Sequence, residues 1–569
     1  MQIKRRFLGD DEFLLGVLAA LVGLATGLGS VGLTWLIGYI TAVSFGVGEQ
    51  RLGLLAIVLI PAVGGLITGP IIYKYAREAK GHGVPEVMLA VSLLGGRIRG
   101  AVAVVKTIAS VICIGTGGSA GREGPIVQIG ATLGSVLGQK LNLTPERVKT
   151  LVACGAAGGI SATFNAPLAG IFFAMEVILG EYGLRLLTAV VISSVSASVV
   201  ARRFLGSQHE FVVPPYTLQH PWEILSYAAL GVVCAVAAIG FIKALYASED
   251  FFDALPFSDA LKPALGGLLL GVLGYLTLQP GQKIPACFGS GYAFIDASLA
   301  GHLTLWAALG MAVARLLATC FTLGSGNSGG VFAPTLYMGA MLGLAWGEAL
   351  RMLFPDHAPP SGGYALIGMA AMFAGAAQAP LSAIIIIFEL SGDYQIILLV
   401  MTSVVISTGL VNAWFGESIY TLKLVRRGID IHRMRGVDPL SSTRVVQAAV
   451  PDDCAMTAST TVSEALAAAA PHRHTLFVWE GGAAIGVVRR SAMLTADPDA
   501  PLRSLLEPPS IRLPADASLY DTLELLTSLD VDSALVYDHD RPVGIVTGRS
   551  MVNYLGTLKK DRGPVSPIE

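Results

Sequence analysis

Residues 115–138 read GTGGSAGREGPIVQIGATLGSVLG. Glycines stand at 115, 117, 118 and 121, followed by Arg122, Glu123, Gly124 and Pro125 and then an uncharged run to Gly138. Glycine permits close backbone approach and unusual dihedrals, and proline suits the first turn of a helix. The stretch therefore reads as a break in the chain followed by a helix with free N-terminal N–H groups. In a hydrocarbon setting such groups need partners. An anion can supply them, helped by the helix dipole.

The surroundings make the setting a membrane. The chain has 569 residues, 53% apolar and only 14% charged, against about 25% charged in soluble domains. Its mean hydropathy is +0.66. From Phe13 to Gln50 the only charge is Glu49, a run well beyond the roughly 20 residues that span a bilayer and too long for the apolar part of a signal peptide. Further apolar runs fall at 52–73, 101–114, 150–175, 186–201, 224–242, 263–278, 302–314, 316–347, 362–388 and 395–416. After Arg426 the composition becomes that of a soluble protein. The expected organisation is a short N-terminal segment (1–12), a transmembrane domain (13–425), a linker (426–445) and two small soluble domains (446–500 and 508–560). Lys4, Arg5 and Arg6 precede the first run, and Arg426, Arg427, Arg433 and Arg435 follow the last. Both clusters favour the cytoplasmic side, so both termini and the soluble tail are expected there, with an even number of crossings.

The central stretch recurs. Set against 324–347, GSGNSGGVFAPTLYMGAMLGLAWG, it is identical at ten of 24 positions without a gap, among them Gly121/Gly330 and Pro125/Pro334. NAPLAGIFFAME (165–176) likewise matches QAPLSAIIIIFE (378–389), pairing Glu176 with Glu389. Small residues alone recur wherever membrane helices pack closely. The shared order of break, proline, helix and glutamate points to duplication. Two homologous halves with broken helices are a transporter-like arrangement, with half-helix N-termini meeting at the repeat interface. If the halves are inverted, the two breaks converge and form a pocket of backbone N–H groups suited to a small monovalent anion, held weakly enough to leave again.

The tail carries its own repeat. TVSEALAAAA (461–470), TLFVWE (475–480) and AIGVVRR (484–490) are followed by SLYDTLELLTSL (518–529), SALVYDHD (533–540) and PVGIVTGR (542–549). Each copy reads helix, strand, strand and then a helix from Ser491 or Ser550, so the pair is expected to form one α+β module.

Four membrane motifs, GHGVPE (81–86), GREGP (121–125), FNAPLAG (164–170) and GGVFAP (329–334), resemble those of the CLC family of chloride channels and proton/chloride antiporters, and the tail resembles a pair of CBS domains. The resemblance implies an all-α polytopic membrane fold, a CLC-type inverted repeat with broken helices, joined to a soluble α+β CBS pair. It further implies a homodimer in the cell (inner) membrane with one anion path per subunit. The central chloride would be held by the N–H groups of Val331 and Phe332 and by the Tyr420 hydroxyl, beside Gly83 and Gly124, and Glu123 matches the gating glutamate. A carboxylate at a helix N-terminus resembles a bound anion, so it can take chloride's place until it is protonated or swings away. Arg122 is read as a structural partner of a carboxylate more than as an anion contact. Lys106 stands inside an apolar run, where ionisable groups are functional candidates; it either acts electrostatically near the path or pairs with Glu86, Glu176 or Glu389.

Two departures from the family pattern bear on function. The family's usual serine between the first two glycines is replaced by His82, which either donates to the anion and gives flux a pH dependence, or faces the cytoplasmic vestibule or packs against backbone. Many antiporters carry an internal proton-accepting glutamate directly after the residue matched by Glu176; here that position is Val177. Valine relays no proton, which favours passive, Glu123-gated chloride conduction over the alternative, a proton-coupled antiporter. In the tail, the ribose-holding pattern of nucleotide-binding CBS domains is reduced to Thr547 and Ser550, with serine in place of the acid, so an adenine nucleotide is weakly supported and a structural role is the sturdier expectation.

Other function classes fare worse. No nucleophile–base pair or metal cluster suggests an enzyme. His472 and His474 read as a polar loop, not a zinc site. The six cysteines are scattered with no metal or disulfide spacing, and no concentrated basic patch suggests nucleic acid. A non-conducting receptor signalling through the CBS pair would leave Glu123 and the repeated breaks without a use. Bound chloride is the only expected ligand of the membrane domain, with no other cofactor.

Overall fold

The computed structural model describes residues 11–560 except 207–222, 280–281, 302, 356–360, 430–442, 453, 470–472, 474, 482, 509–511, 529–530, 532 and 539–540. Arg433, Arg435, His472 and His474 lie outside the described residues. The chain divides into two compact units, Met1–Ile431 and His432–Glu569.

The first unit is helical throughout. Its first half runs α1 (Asp11–Leu52), α2 (Leu55–Tyr75), α3 (Val84–Leu93), α4 (Gly100–Gly115), α5 (Glu123–Lys140), α6 (Pro145–Phe164), α7 (Pro167–Phe173, extended by a π-helical turn Ala174–Leu179) and α8 (Leu184–Leu205). The second runs α9 (Glu223–Asp253), α10 (Lys262–Thr277), α11 (Tyr292–Leu299), α12 (Leu305–Gly324), α13 (Phe332–Leu353), α14 (Ser361–Ala377), α15 (Pro380–Ser391), α16 (Ile397–Trp414) and α17 (Thr421–Val425). Among the described residues, six helices are long and apolar enough to cross a membrane, and six more are apolar but only 10–17 residues long. Three of the short ones, Pro167–Leu179, Ser361–Ala377 and Pro380–Ser391, are halves of interrupted helices. The run at 150–175 breaks at Asn165, which is left-handed (φ 55°), and the run at 362–388 breaks at its repeat mate Gln378 (φ 52°).

The duplication is physical as well as textual. Gly121 and Gly330, equivalent positions in the two copies, form an antiparallel bridge: each N–H donates to the other's carbonyl, at 2.8 and 2.7 Å. A bridge between equivalent residues is self-complementary, as a two-fold relation between inverted halves demands. Helix packing repeats too. A Cβ on Gly130 of α5 would lie 2.2 Å from the Gly155 carbonyl of α6, and one on Gly339 of α13 would lie 2.3 Å from the Gly368 carbonyl of α14. Small residues let each pair of helices touch backbone to backbone, and the contact has been kept in both halves.

One gap between apolar runs is not a helix boundary. Arg315 separates the apolar runs 302–314 and 316–347, yet α12 passes straight through it and the chain breaks at residues 325–331. The guanidinium is fully buried and donates to the carbonyls of Cys287 (3.2 Å) and Ser290 (2.8 Å). A paired charge is tolerated inside the helix bundle, so the charge marks a tie to a neighbouring loop and not a helix end.

The second unit holds two copies of one motif. The first contains β1 (Met456–Thr457), α19 (Val462–Ala468), β2 (Thr475–Glu480), β3 (Ala483–Arg489) and α20 (Arg490–Thr495); the second contains β4 (Arg512–Pro514), α21 (Leu519–Ser528), β5 (Ser533–Asp538), β6 (Arg541–Thr547) and α22 (Gly548–Lys560). Each sheet has its first strand parallel to the second and the second antiparallel to the third. The copies exchange flanking segments. The segment with α18 (Val445–Ala448) precedes the first copy but packs on the second: Val445 N–H donates to Ala517, and Val450 exchanges hydrogen bonds with Ile545. Leu502 and Glu507, which precede the second copy, bond Thr460 and Val487 of the first. The two copies are thereby locked into a single module.

Candidate functional site

Three breaks and one loop converge on a narrow pocket. His82 and Gly83 precede α3, Glu123 and Gly124 open α5, Val331 and Phe332 open α13, and Tyr420 stands just before α17; His82, Glu123, Gly124, Val331, Phe332 and Tyr420 all line the same pocket. Gly83, at φ 81°, lies immediately behind it, where a Cβ would meet the Gln128 side chain at 2.5 Å. The first two breaks are bound to the third by backbone. Gly81 N–H donates to Asn327 O at 3.0 Å, Gly329 N–H donates to Gly81 O at 3.3 Å, and Gly121 pairs with Gly330. Three half-helices thus present N-termini to one place, so the pocket has a positive potential built from main-chain dipoles.

Glu123 is 1% exposed. It occupies the position in the first copy that Phe332 occupies in the second. Its carboxylate faces its own N–H and that of Ala333 on α13, and it accepts a hydrogen bond from the Tyr292 hydroxyl. A negative group thus already rests on the helix N-termini that would serve an anion. Gly121 permits this: a Cβ there would collide with Glu123 Oε2 at 1.9 Å.

The remaining positions have well-defined surroundings. Phe332 packs against Phe373 (4.2 Å between centroids) and Phe164 (5.0 Å). The loop bearing Tyr420 is held by Ile419, whose N–H donates to Ala376 O at 2.8 Å and whose carbonyl accepts the Tyr246 hydroxyl at 2.7 Å. His82 is 3% exposed. Its ring lies 5.7 Å from that of Tyr420, its Nε2 is 3.5 Å from the Tyr246 hydroxyl, and its Nδ1 has no protein partner among the described residues. Burying a polar atom without a partner is costly, so a donor-capable nitrogen left open beside a positive pocket fits an anion.

Lys106 is fully buried, and its Nζ donates to the carbonyls of Ala79 (3.1 Å) and Gly81 (2.7 Å). The three glutamates offered above as its partners bind elsewhere. Glu86 pairs with Arg427 at 2.8 Å, while Glu176 and Glu389 cap helices. Lys106 therefore fastens the turn that carries His82. Arg122 bonds Thr34 Oγ1 (3.3 Å) and Thr163 O (3.4 Å) and lies 5.5 Å from the Tyr292 ring centroid. Val177 is buried in the π-helical turn beside Glu176. Tyr292 and Arg315 were not foreseen from sequence. Both are distant in the chain from what they touch, and only the GSG run at 289–291 marks their neighbourhood.

In the tail, Thr547 and Ser550 bond one another. Thr547 N–H donates to Ser550 Oγ, and Ser550 N–H donates to Thr547 Oγ1, each at 3.0 Å. Their hydroxyls serve as a cap between β6 and α22. Among the described residues no group of His, Cys, Asp and Glu is placed to hold a metal ion.

The pocket at convergent half-helices and the inverted repeat define an anion-transport fold, and comparison places it. The family described as voltage gated chloride channel matches residues 64–412, and the CBS domain matches residues 502–557. The chain belongs to this CLC family and ends in a CBS region. It is 32% identical over 381 residues to a putative chloride channel protein, ClcB-like, of Ralstonia nicotianae, spanning 66% of this chain and 87% of that one. It is 32% identical over 430 residues to the H(+)/Cl(-) exchange transporter ClcA of Yersinia pestis, spanning 72% and 87%. Among solved structures, a slow cyanobacterial Cl-/H+ antiporter superposes with a TM-score of 0.66 at 24% identity, covering 73% of this chain and 97% of the other. A eukaryotic CLC transporter superposes with a TM-score of 0.62 at 19% identity, covering 95% and 98%. The fold is that of CLC transporters, and the chain is a multi-pass membrane protein.

Proposed function

We propose that the protein exchanges chloride for protons across the membrane through the pocket lined by Glu123. One observation carries the reading: the Glu123 carboxylate lies on the N-termini of α5 and α13 inside the pocket that would hold the anion. Proton and anion then compete through one side chain. Neutralising Glu123 weakens its hold on the helix N-termini and frees the seat for chloride; its return expels chloride and exposes the carboxylate to a new proton. The N–H groups of Val331 and Phe332, the Tyr420 hydroxyl and His82 are the proposed anion contacts, with Gly83 and Gly124 giving the backbone room to approach.

Similarity to ClcA exchangers across most of their length favours exchange over the passive channel suggested by Val177. The proton then reaches Glu123 without an acid at position 177, along water or through another polar group. The working unit is proposed to be a homodimer in the inner membrane with one path per subunit, and basic residues at both ends of the membrane domain favour cytoplasmic termini and tail. Because Thr547 and Ser550 are engaged with each other, a structural role for the CBS pair is favoured over adenine-nucleotide binding.

The test uses purified protein in liposomes with an imposed chloride gradient and voltage clamped by potassium and valinomycin. Uphill proton movement driven by chloride supports exchange. Chloride efflux without it returns the reading to a channel, and no chloride movement from folded protein overturns anion transport.

A further inference from the structure

We propose that Tyr292 is a latch on Glu123, gripping the carboxylate from outside the anion seat and setting how readily it leaves the pathway. The inference rests on the reading of that pocket as the anion route. Tyr292 is the first residue of α11, in the second half of the chain, and its hydroxyl donates to Glu123 Oε1, from the first half. Tyr292 is not among the residues lining the pocket with His82 and Tyr420, so its loss removes no proposed chloride contact.

The donor is held by a purpose-built support. Gly291 precedes it at φ 80°, in a space where a Cβ would lie 2.7 Å from the Tyr337 ring. Buried Arg315 fixes the preceding loop through the carbonyls of Cys287 and Ser290. Gly289 N–H donates to Gly117 O at 3.3 Å, tying that loop to the break before Glu123. The Arg122 guanidinium, 5.5 Å from the Tyr292 ring centroid, withdraws electron density from the phenol and strengthens its O–H as a donor.

A phenol bonded to a carboxylate makes a charge-assisted hydrogen bond, roughly twice as strong as a neutral one. It stabilises the ionised, seated form of Glu123. When the carboxyl takes a proton, the charge assistance ends and the grip loosens. Proton arrival and release of the gate are thereby joined in one contact. The other charged or titratable groups around Glu123, namely Arg122, Arg315, Tyr420 and His82, are untouched by replacing the phenol with a phenyl ring.

Tyr292→Phe in liposomes is expected to raise chloride efflux at neutral pH by about tenfold, as suits the loss of one charge-assisted hydrogen bond. The pH at which efflux is half-maximal should move upward. The same change in a Glu123→Ala background should alter neither quantity, and this double variant also reports that the fold survives. An unchanged rate and profile in the single variant would overturn the latch, as would an equal change in the double variant. A second readout needs no transport. In pH-difference infrared spectra, the protonated carboxyl band that disappears in Glu123→Gln should emerge at a higher pH in Tyr292→Phe than in the parent; emergence at the same pH overturns the latch. Parent protein that carries no chloride defeats the transport reading, and the infrared titration still decides the latch.

Discussion

Glu176 and Glu389 each close the helix that the other half of the chain contributes. Glu176 accepts from Leu381 N (3.1 Å), Ser382 N (2.8 Å) and the Ser382 hydroxyl (2.6 Å) at the start of α15, and Glu389 accepts from Leu168 N (3.0 Å) and Ala169 N (2.7 Å) at the start of α7. The helices concerned are repeat mates, as are the glutamates. Each carboxylate meets free N–H groups and the positive end of a helix dipole. Hydrogen bonds to charged groups contribute about 1.5–3 kcal/mol. Glu389→Ala is therefore expected to destabilise the detergent-solubilised protein by about that amount in thermal unfolding. The two single alanine variants should have similar effects. A Glu176→Ala variant as stable as the parent would mean that the reciprocal caps do not share the fold's stability.

That exchange marks how far the sequence can be read. The pairing of Glu176 with Glu389 was visible as a repeat, because duplication leaves matched residues in matched order. What each one touches was not visible, because the contact crosses between halves that are far apart in the chain. Glu123, Gly124, Val331 and Phe332 were legible through motifs and Tyr420 through the family resemblance, and the structure brings them into one pocket. Lys106 was legible as a buried charge, but its carbonyl partners were not, since any main-chain oxygen can accept and none leaves a trace in composition. Arg315 divided one helix into two apolar runs, because local hydropathy counts a charge as polar whether or not it is paired. Tyr292 had no signal beyond its glycine-rich approach.

Gly155 is expected to be intolerant of a side chain. A Cβ there would meet the Gly130 carbonyl oxygen at 1.9 Å and its carbon at 2.2 Å. Both are backbone atoms, so relief requires α5 and α6 to separate along a contact that also positions Glu123. Overpacking a well-filled interior costs about 1–3 kcal/mol and occasionally more, and Gly155→Ala should fall at the upper end. Gly240→Ala, at a position with nothing within 4 Å of the added Cβ, provides the control and should be neutral or mildly stabilising in the same unfolding measurement.

Lys106→Met should keep the bulk of the side chain and remove its donors. The Ala79 carbonyl would then be left without its donor, at about 1–3 kcal/mol for a buried group left unsatisfied, while the Gly81 carbonyl would lose its charged partner and keep the Gly329 N–H. Since Gly81 adjoins His82, the loss should appear in function as well as in stability. Chloride binding measured by calorimetry is expected to weaken, while Glu123-dependent proton movement persists in whatever protein remains folded. Unchanged chloride affinity would show that the turn holds its shape without the lysine.

Thr547→Ala should act on the fold of the tail. It removes the hydroxyl that accepts from Ser550 N–H at the start of α22, a capping loss of about 0.5–2 kcal/mol. Titration of ATP or AMP into the full chain is expected to give no saturable heat in either the parent or the variant. Saturable binding to the parent that disappears in Thr547→Ala would reassign the residue as a nucleotide contact.

His82 decides whether the pocket uses side chains as well as backbone. Its Nδ1 has no protein partner among the described residues, while its Nε2 faces Tyr246. If Nδ1 donates to chloride, His82→Ala removes one neutral hydrogen bond, about 0.5–1.5 kcal/mol or up to roughly tenfold in affinity. His82→Ser offers another hydroxyl donor and should recover much of that loss. The ring is buried, and Lys106 Nζ sits on the carbonyl of the adjoining Gly81, so a charge on the imidazole would be desolvated beside a like charge and the ring acts as a neutral donor. The loss in His82→Ala and its recovery in His82→Ser should therefore be alike at mildly acidic and mildly alkaline pH. If the ring only packs against Tyr420, both substitutions should lower stability and leave chloride affinity where it was. Calorimetric chloride titrations at two pH values, run on the three proteins in Glu123→Gln backgrounds to keep the gate from competing, separate these outcomes. A chloride affinity that survives His82→Ala unchanged would remove His82 from the site.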